Sequence, residues 1–219
     1  SLFSIDLYRK LCYTVCIDRR LLLAEELGGI MKIGVDIMEL HKTEVYNSRI
    51  NRVLISEEEI RTAVAKAGEL IDSWYDGRPM LLVSILKGSF VFLADLARAI
   101  KSPCEIGFMA AKSYYQDTKS SGIVNITMDL SQDIKGYNVV IVEDIIDTGR
   151  TLRDVVKLLK AREPLSLRVV TLLDKPERRI VDFEPDYALF TIPDHFVIGY
   201  GLDYGEYYRN LPYIAEYKE

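Results

Sequence analysis

Apolar residues recur at helical spacing after Ser56, where Ile60, Ala63, Val64, Ala67, Leu70, Ile71 and Trp74 mark one face of an amphipathic helix. Ser56 and Glu59 form a capping-box pattern at its start, and Asp76-Gly77-Arg78-Pro79 ends it. The pattern then changes. Met80 to Leu86 is a continuous apolar run of the length expected for a strand buried on both faces. Lys87-Gly88-Ser89 turns the chain into a second helix, marked by Phe90, Leu93, Ala94, Ala97 and Ile100 and closed by Pro103.

Cys104 to Ala111 reads as the next strand, and the polar stretch from Ser113 to Gly122 has no core face. Alternation resumes over residues 123 to 128, so the polar stretch predicts the tip of a long mobile hairpin, well beyond the two to five residues common in such loops. Val139 to Val142 is a further buried strand, followed by a helix through Leu152, Val155, Val156 and Leu159 and a strand over Leu167 to Leu173. Tyr187 to Thr191 and Phe196 to Tyr200 read as short strands, and no internal repeat interrupts the series. This alternation predicts an α/β fold: an open, mainly parallel sheet with helices on both faces and ligands beyond the carboxyl ends of its strands.

Composition narrows the classes. The chain has 219 residues, 49% hydrophobic and 28% charged, enough for one substantial core and too apolar for a disordered protein. Lys and Arg number 28 against 33 Asp and Glu, so the net charge of -5 argues against nucleic acid as a partner. No apolar run reaches the ~20 residues needed to span a bilayer, and no membrane partner is expected. The three cysteines, an odd number, suit a reducing cytoplasm. Cys12 and Cys16 can share a helical face, but two thiolates alone make a poor metal site. Residues 1–30 carry neither a secretory apolar core nor a cleavage pattern and read as an N-terminal extension of unassigned role.

Chemistry concentrates in the run Val139 to Thr151, VVIVEDIIDTGRT. A buried strand ends in two carboxylates, Glu143 and Asp144, and Asp147-Thr148-Gly149-Arg150-Thr151 then opens a helix. Small hydroxyl residues and a glycine at a helix start aim backbone N–H groups at one point, an arrangement suited to a phosphate monoester. The same residues also fit an ordinary helix cap. The doubled acids directly after four buried apolar residues favour a ligand site, with the acids binding ribose hydroxyls or organising a hard cation. The run Gly199 to Gly205 only superficially matches a dinucleotide-binding pattern, because its third glycine is one place late and no strand, helix, strand unit follows.

VVIVEDIIDTGRT resembles the phosphoribosyl pyrophosphate signature of type I phosphoribosyltransferases, specifically their hypoxanthine-guanine branch. The resemblance runs in order and spacing from about Val35 to the C-terminus, so residues 31–219 are expected to form the transferase domain, with a small base-binding hood. It implies a purine-salvage enzyme using phosphoribosyl pyrophosphate, a 6-oxopurine and Mg2+, cytoplasmic and a homodimer or homotetramer. Relatives acting on adenine or orotate usually have a small residue where Asp147 stands, and some relatives have lysine in place of Arg150.

The resemblance further implies roles for single residues. Glu143, Asp144, Asp147, Thr148, Gly149, Arg150 and Thr151 bind the phosphoribosyl group, with Asp147 as general base. Lys87, Gly88, Ser113, Tyr114 and Arg209 face pyrophosphate, and a non-proline cis peptide is expected before Lys87. Lys175, Phe196 and Val197 bind the base, while Asp203, Glu143 and Asp144 serve the metal. Taken singly, Lys87 also reads as an ordinary solvated lysine, Lys175 as a charge at a helix or strand end, and Phe196 as core. The alternative is a regulatory protein that keeps the phosphoribosyl pyrophosphate pocket to sense ligand and bind nucleic acid. No added winged-helix pattern or basic excess supports that alternative.

Overall fold

Ser56 starts the first long helix as its pattern predicts: Ser56 Oγ accepts from the Glu59 N–H at 3.3 Å and the Glu59 carboxylate accepts from the Ser56 N–H at 2.8 Å. In the computed structural model, which describes residues 48–113 and 124–218, this helix is α1 (Glu57–Tyr75). It buries Ile60, Val64, Ala67 and Ile71 and stops at Asp76 in the left-handed conformation. After it come β2 (Met80–Leu86), α2 (Phe90–Ala99), β3 (Cys104–Ser113), β4 (Val124–Met128), β5 (Asn138–Ile146), α3 (Arg150–Lys160), β6 (Ser166–Asp174) and β7 (Tyr187–Thr191).

These strands form one six-stranded sheet in the order β4-β3-β2-β5-β6-β7, parallel except for β4, which runs antiparallel to β3. Alternate residues serve opposite faces. Leu82, Val140, Val142 and Val170 pack with α1 and α2, whereas Leu81, Val83, Val139 and Ile141 pack with Leu152, Val155, Val156 and Leu159 of α3. Burial on both faces explains why β2 and β5 are unbroken apolar runs. From β2 the chain goes out to β3, and β5 then starts on the other side of β2, so strand order reverses between β2 and β5. Ligands of open α/β sheets bind in the crevice outside the carboxyl ends of strands at such a reversal.

A second, three-stranded antiparallel sheet joins β1 (Ile50–Ile55), β9 (Ile214–Tyr217) and β8 (Val197–Ile198) in the order β1-β9-β8. It corresponds to the expected hood. Its strands corrected the sequence reading: β1 and β9 were not predicted, and the strand expected over Phe196 to Tyr200 is confined to two residues. The α2 face also differs, because Phe92, Leu93 and Leu96 are buried while Phe90 and Ala94 are exposed. Ser89, just before α2, is buried at this junction. Its Oγ donates to Ile85 O at 2.6 Å and lies 2.6 Å from Ser84 Oγ, tying the start of the helix to the end of β2.

The residues from Ile50 form one compact unit. The boundary expected at residue 31 and the hairpin tip with Tyr114 lie outside the described residues, although Ser113 and Val124 pair at its base. No described helix is long and apolar enough to cross a membrane.

Candidate active site

Three loops meet beyond the strand reversal: the one after β2, the one after β5 and the one before β9. The Leu86–Lys87 peptide is cis, as expected. Gly88 packs so closely on the β5 loop that a Cβ on it would lie 1.5 Å from Asp144 Oδ2. Gly201, at φ 101°, packs on Gly88 in turn, and its Cβ would lie 2.0 Å from Gly88 O. Both positions require glycine. A cleft of about 300 Å³ opens here, lined by Lys87, Gly88, Glu143, Asp144 and the start of α3.

Thr148 and Gly149 lead into α3, with Gly149 at φ 77° and its carbonyl accepting from the Arg153 N–H at 2.9 Å. A Cβ on Gly149 would press on Arg179 and Val181 at 3.0 Å. The first turn of α3 contains no acidic residue, whereas that of α1 contains Glu57, Glu58 and Glu59. The positive end of the α3 dipole therefore faces the cleft without a carboxylate on its own first turn to neutralise it, a setting for an anion.

Glu143 and Asp144 stand at this cleft half-buried. Burial, reinforced by the neighbouring Asp144 charge, pushes the Glu143 carboxyl well above its ordinary range. Burial also pushes Asp144 up to about 6, opposed by backbone N–H donation and by Arg209. Glu143 Oε2 is enclosed and has no hydrogen-bond partner. A pair of enclosed acids with an unsatisfied oxygen is costly unless something positive completes it. Among the described residues no cluster of three His, Cys, Asp or Glu could hold a metal on its own.

At the other end of the cleft, the Lys175 N–H donates to Ile146 O at 3.0 Å, so Lys175 and Asp147 leave neighbouring strand ends together. Lys175 directly follows the end of β6, and at 7% exposed it is a buried strand-end charge. Its Nζ donates to His195 O at 2.5 Å and lies 3.5 Å from Asp194 Oδ1. Asp147 Oδ1 accepts from Arg178 Nε at 2.9 Å, and Arg178 Nη1 reaches Asp194 Oδ2 at 3.3 Å. Arg179 braces the same loop through Asp147 O at 2.7 Å, Phe183 O and a close ion pair with Asp174. Phe196 is 48% exposed and so is not core; it meets Tyr204 and Tyr217 edge-on at 5.9 and 5.7 Å. Val197, in β8 of the hood, is buried.

The third loop carries Asp203 and Arg209. Arg209 Nη2 lies 2.8 Å from Asp203 Oδ1, and its Nη1 donates to Gly201 O at 2.8 Å, while its Nε is enclosed without a partner. Glu206 links this loop to Lys87, whose Nζ lies 3.1 Å from Glu206 Oε2. A larger hollow of about 590 Å³ lies between α1, α2 and the loop at Leu211, but of the expected site residues only Arg209 borders it. The smaller cleft is the chemically equipped one.

Residues 49–205 match the phosphoribosyl transferase domain family. The chain is 52% identical over 170 residues to the hypoxanthine-guanine phosphoribosyltransferase of Streptococcus pneumoniae, a match covering 78% of this chain and 94% of that relative. The chain belongs to the phosphoribosyltransferase family, among its hypoxanthine-guanine members. It is also 48% identical over 166 residues to the hypoxanthine phosphoribosyltransferase of Salmonella typhimurium, across 75% of this chain and 93% of that one. A crystal structure of a hypoxanthine phosphoribosyltransferase from Staphylococcus aureus superposes with a TM-score of 0.77 at 44% identity, covering 81% of this chain and 97% of the other.

As a hypoxanthine-guanine phosphoribosyltransferase family member, the chain brings Lys87, Gly88, Glu143, Asp144, Asp147, Thr148, Gly149 and Thr151 to one cleft, whereas Arg150 is exposed and does not line it. Lys175 adjoins that cleft through Ile146, and Asp203 and Arg209 join it through Gly201. Arg178, Arg179, Asp194 and Glu206 were missed by sequence reasoning. The doubled arginine just after Lys175 was the one available signal, whereas Asp194 and Glu206 read as ordinary exposed acids.

Proposed function

We propose that this chain is a purine-salvage enzyme that transfers ribose 5-phosphate from phosphoribosyl pyrophosphate to N9 of hypoxanthine or guanine. The observation that carries the reading is the emergence of Asp147 and a buried Lys175 side by side next to the two acids and the α3 N-terminus. In the reaction N9 forms a bond to ribose C1 as the C1–oxygen bond breaks and pyrophosphate departs with its electron pair. Asp147 takes the N7 proton as N9 bonds to C1, so that the purine joined to the ribose is a neutral ring.

Lys175 donates to the exocyclic oxygen. An adenine amino group would oppose one donor with another, which disfavours adenine. Phe196 stacks on the base and Val197 lends its backbone to the purine edge. Thr148, Gly149, Arg150, Thr151 and the α3 N-terminus hold the 5-phosphate, and Glu143 and Asp144 face the ribose hydroxyls. Lys87, Gly88, Arg209, Ser113 and Tyr114 hold pyrophosphate.

Asp203, with Glu143 and Asp144, fits Mg2+, the unpartnered Glu143 oxygen and the raised acids being what supports this. Bound there, the ion supplies charge neutralisation for the leaving group. A cytoplasmic location and a homodimer or homotetramer belong to the same reading; exposed Ile106, Phe108 and Met128 on neighbouring strands support self-association. No observation favours the nucleic-acid-binding alternative.

The test is direct. Protein incubated with magnesium, phosphoribosyl pyrophosphate and hypoxanthine should release pyrophosphate and form inosine monophosphate, and adenine should not react. Equal turnover of the two bases would defeat the specificity argument.

A further inference from the structure

Glu206 has no role in the reading above, yet it holds both cations assigned to pyrophosphate. Its Oε2 accepts from Lys87 Nζ at 3.1 Å and from Arg209 Nη2 at 3.3 Å. One carboxylate oxygen thus sits between two cations in the manner expected of a pyrophosphate oxygen. The backbone helps to place it: Glu206 lies at φ 73°, uncommon for a residue with a side chain, and its N–H donates to Asp203 Oδ2 at 2.9 Å.

Charge gives the arrangement a consequence. Lys87 and Arg209 are matched by Asp203 and Glu206, so the formal charges of this cluster cancel. The two bonds differ in permanence. Lys87 and Glu206 are exposed, at 65% and 64%, so their pair is weak and easily exchanged. Arg209 is only 18% exposed and keeps Asp203 and Gly201 O when Glu206 leaves.

Resting on the pyrophosphate subsite proposed above, we propose that Glu206 is its affinity-setting residue: the carboxylate occupies Lys87 and Arg209 in the free enzyme and is exchanged for pyrophosphate oxygens on binding. It competes with the ligand for the same donors, weakening capture and speeding release of pyrophosphate. No bond is made or broken in the exchange.

Calorimetric titration with magnesium pyrophosphate tests it on the parent and on Glu206→Gln, which keeps the shape and removes the charge. The variant should bind roughly three- to tenfold more tightly, the range expected for losing weak exposed pairs. Its pyrophosphate dissociation should slow in proportion, and its KM for hypoxanthine should stay unchanged. Unchanged or weaker binding by a folded variant would overturn the proposal, since Glu206 would then merely hold the cations in position.

A second measurement needs no variant. Carbodiimide treatment of the parent should join Lys87 to Glu206, and saturating magnesium pyrophosphate should suppress that link while sparing the link between Lys135 and Glu163, a surface pair at 2.6 Å. Persistence of the Lys87–Glu206 link at saturation overturns the exchange. Failure of the parent to bind magnesium pyrophosphate would instead remove the subsite reading itself, and the inference with it.

Discussion

Gly88 and Asp144 are in contact across the strand reversal, with no room for a Cβ between them. The contact couples the loop after β2 to the acids after β5, and Gly201 locks the third loop onto the first. Gly88→Ala should therefore displace Asp144 as well as crowd the cleft that Gly88 itself lines. A displacement of about 1 Å in such a site can lower turnover by about 100-fold. Steady-state kinetics with phosphoribosyl pyrophosphate should show that loss, and activity within threefold of the parent would show that the loops move independently.

Asp147→Asn keeps the shape of the side chain and its contact with Arg178 while removing its affinity for a proton. Loss of a general base costs ~10²- to 10⁴-fold, so kcat should fall by at least about 100-fold while phosphoribosyl pyrophosphate affinity holds. Pre-steady-state turnover together with equilibrium binding separates these. A variant that turns over nearly as fast as the parent would make Asp147 a positioning residue.

Lys175→Gln tests base choice. The glutamine amide both donates and accepts, so it should serve hypoxanthine less well and oppose adenine less strongly. The hypoxanthine-to-adenine ratio of kcat/KM should narrow by about tenfold or more, since mismatched polar groups in a buried site are worth that much. An unchanged ratio, measured by competition between the two bases, would move the source of specificity elsewhere.

The sheet and its carboxyl-end site were legible because their residues face one environment for long stretches. Met80 to Ile85 and Asn138 to Val142 are buried on both faces, and α1 and α3 keep a single apolar stripe. The hood was less legible: β1 is exposed along Asn51, Arg52 and Val53, and β9 has only four residues, too short for a period to register. Phe196 shows the opposite difficulty, since an aromatic beside Val197 suggests core, and only the folded hood shows that its ring is half exposed. Glu206 carries no local signal because its partner Lys87 lies 119 residues away.

The raised acids predict a trade between stability and function. Asp144 has an ordinary carboxyl value of 3.8 and is pushed up to about 6 in the fold, chiefly by burial. A folded value above the unfolded one means that the folded state holds the proton more tightly, so this contribution to stability is fully present below about 3.8 and is lost as pH rises through about 6. Two pKa units correspond to about 3 kcal/mol of destabilisation at pH 8 in the free protein. Asp144→Asn removes the charge but keeps an oxygen for the Ile145 N–H, which Asp144 Oδ1 now accepts at 2.9 Å. It also relieves Glu143, whose carboxyl is raised by burial and by the Asp144 charge. With magnesium chelated, the variant should melt on the order of 5–10 °C above the parent at pH 8. The difference should shrink steadily toward pH 4.5, while turnover falls. Thermal denaturation across that pH range checks both sign and window. A variant no more stable than the parent at pH 8 would mean that Asp144 is well compensated in the free enzyme, and that the cleft carries no stored demand for a cation.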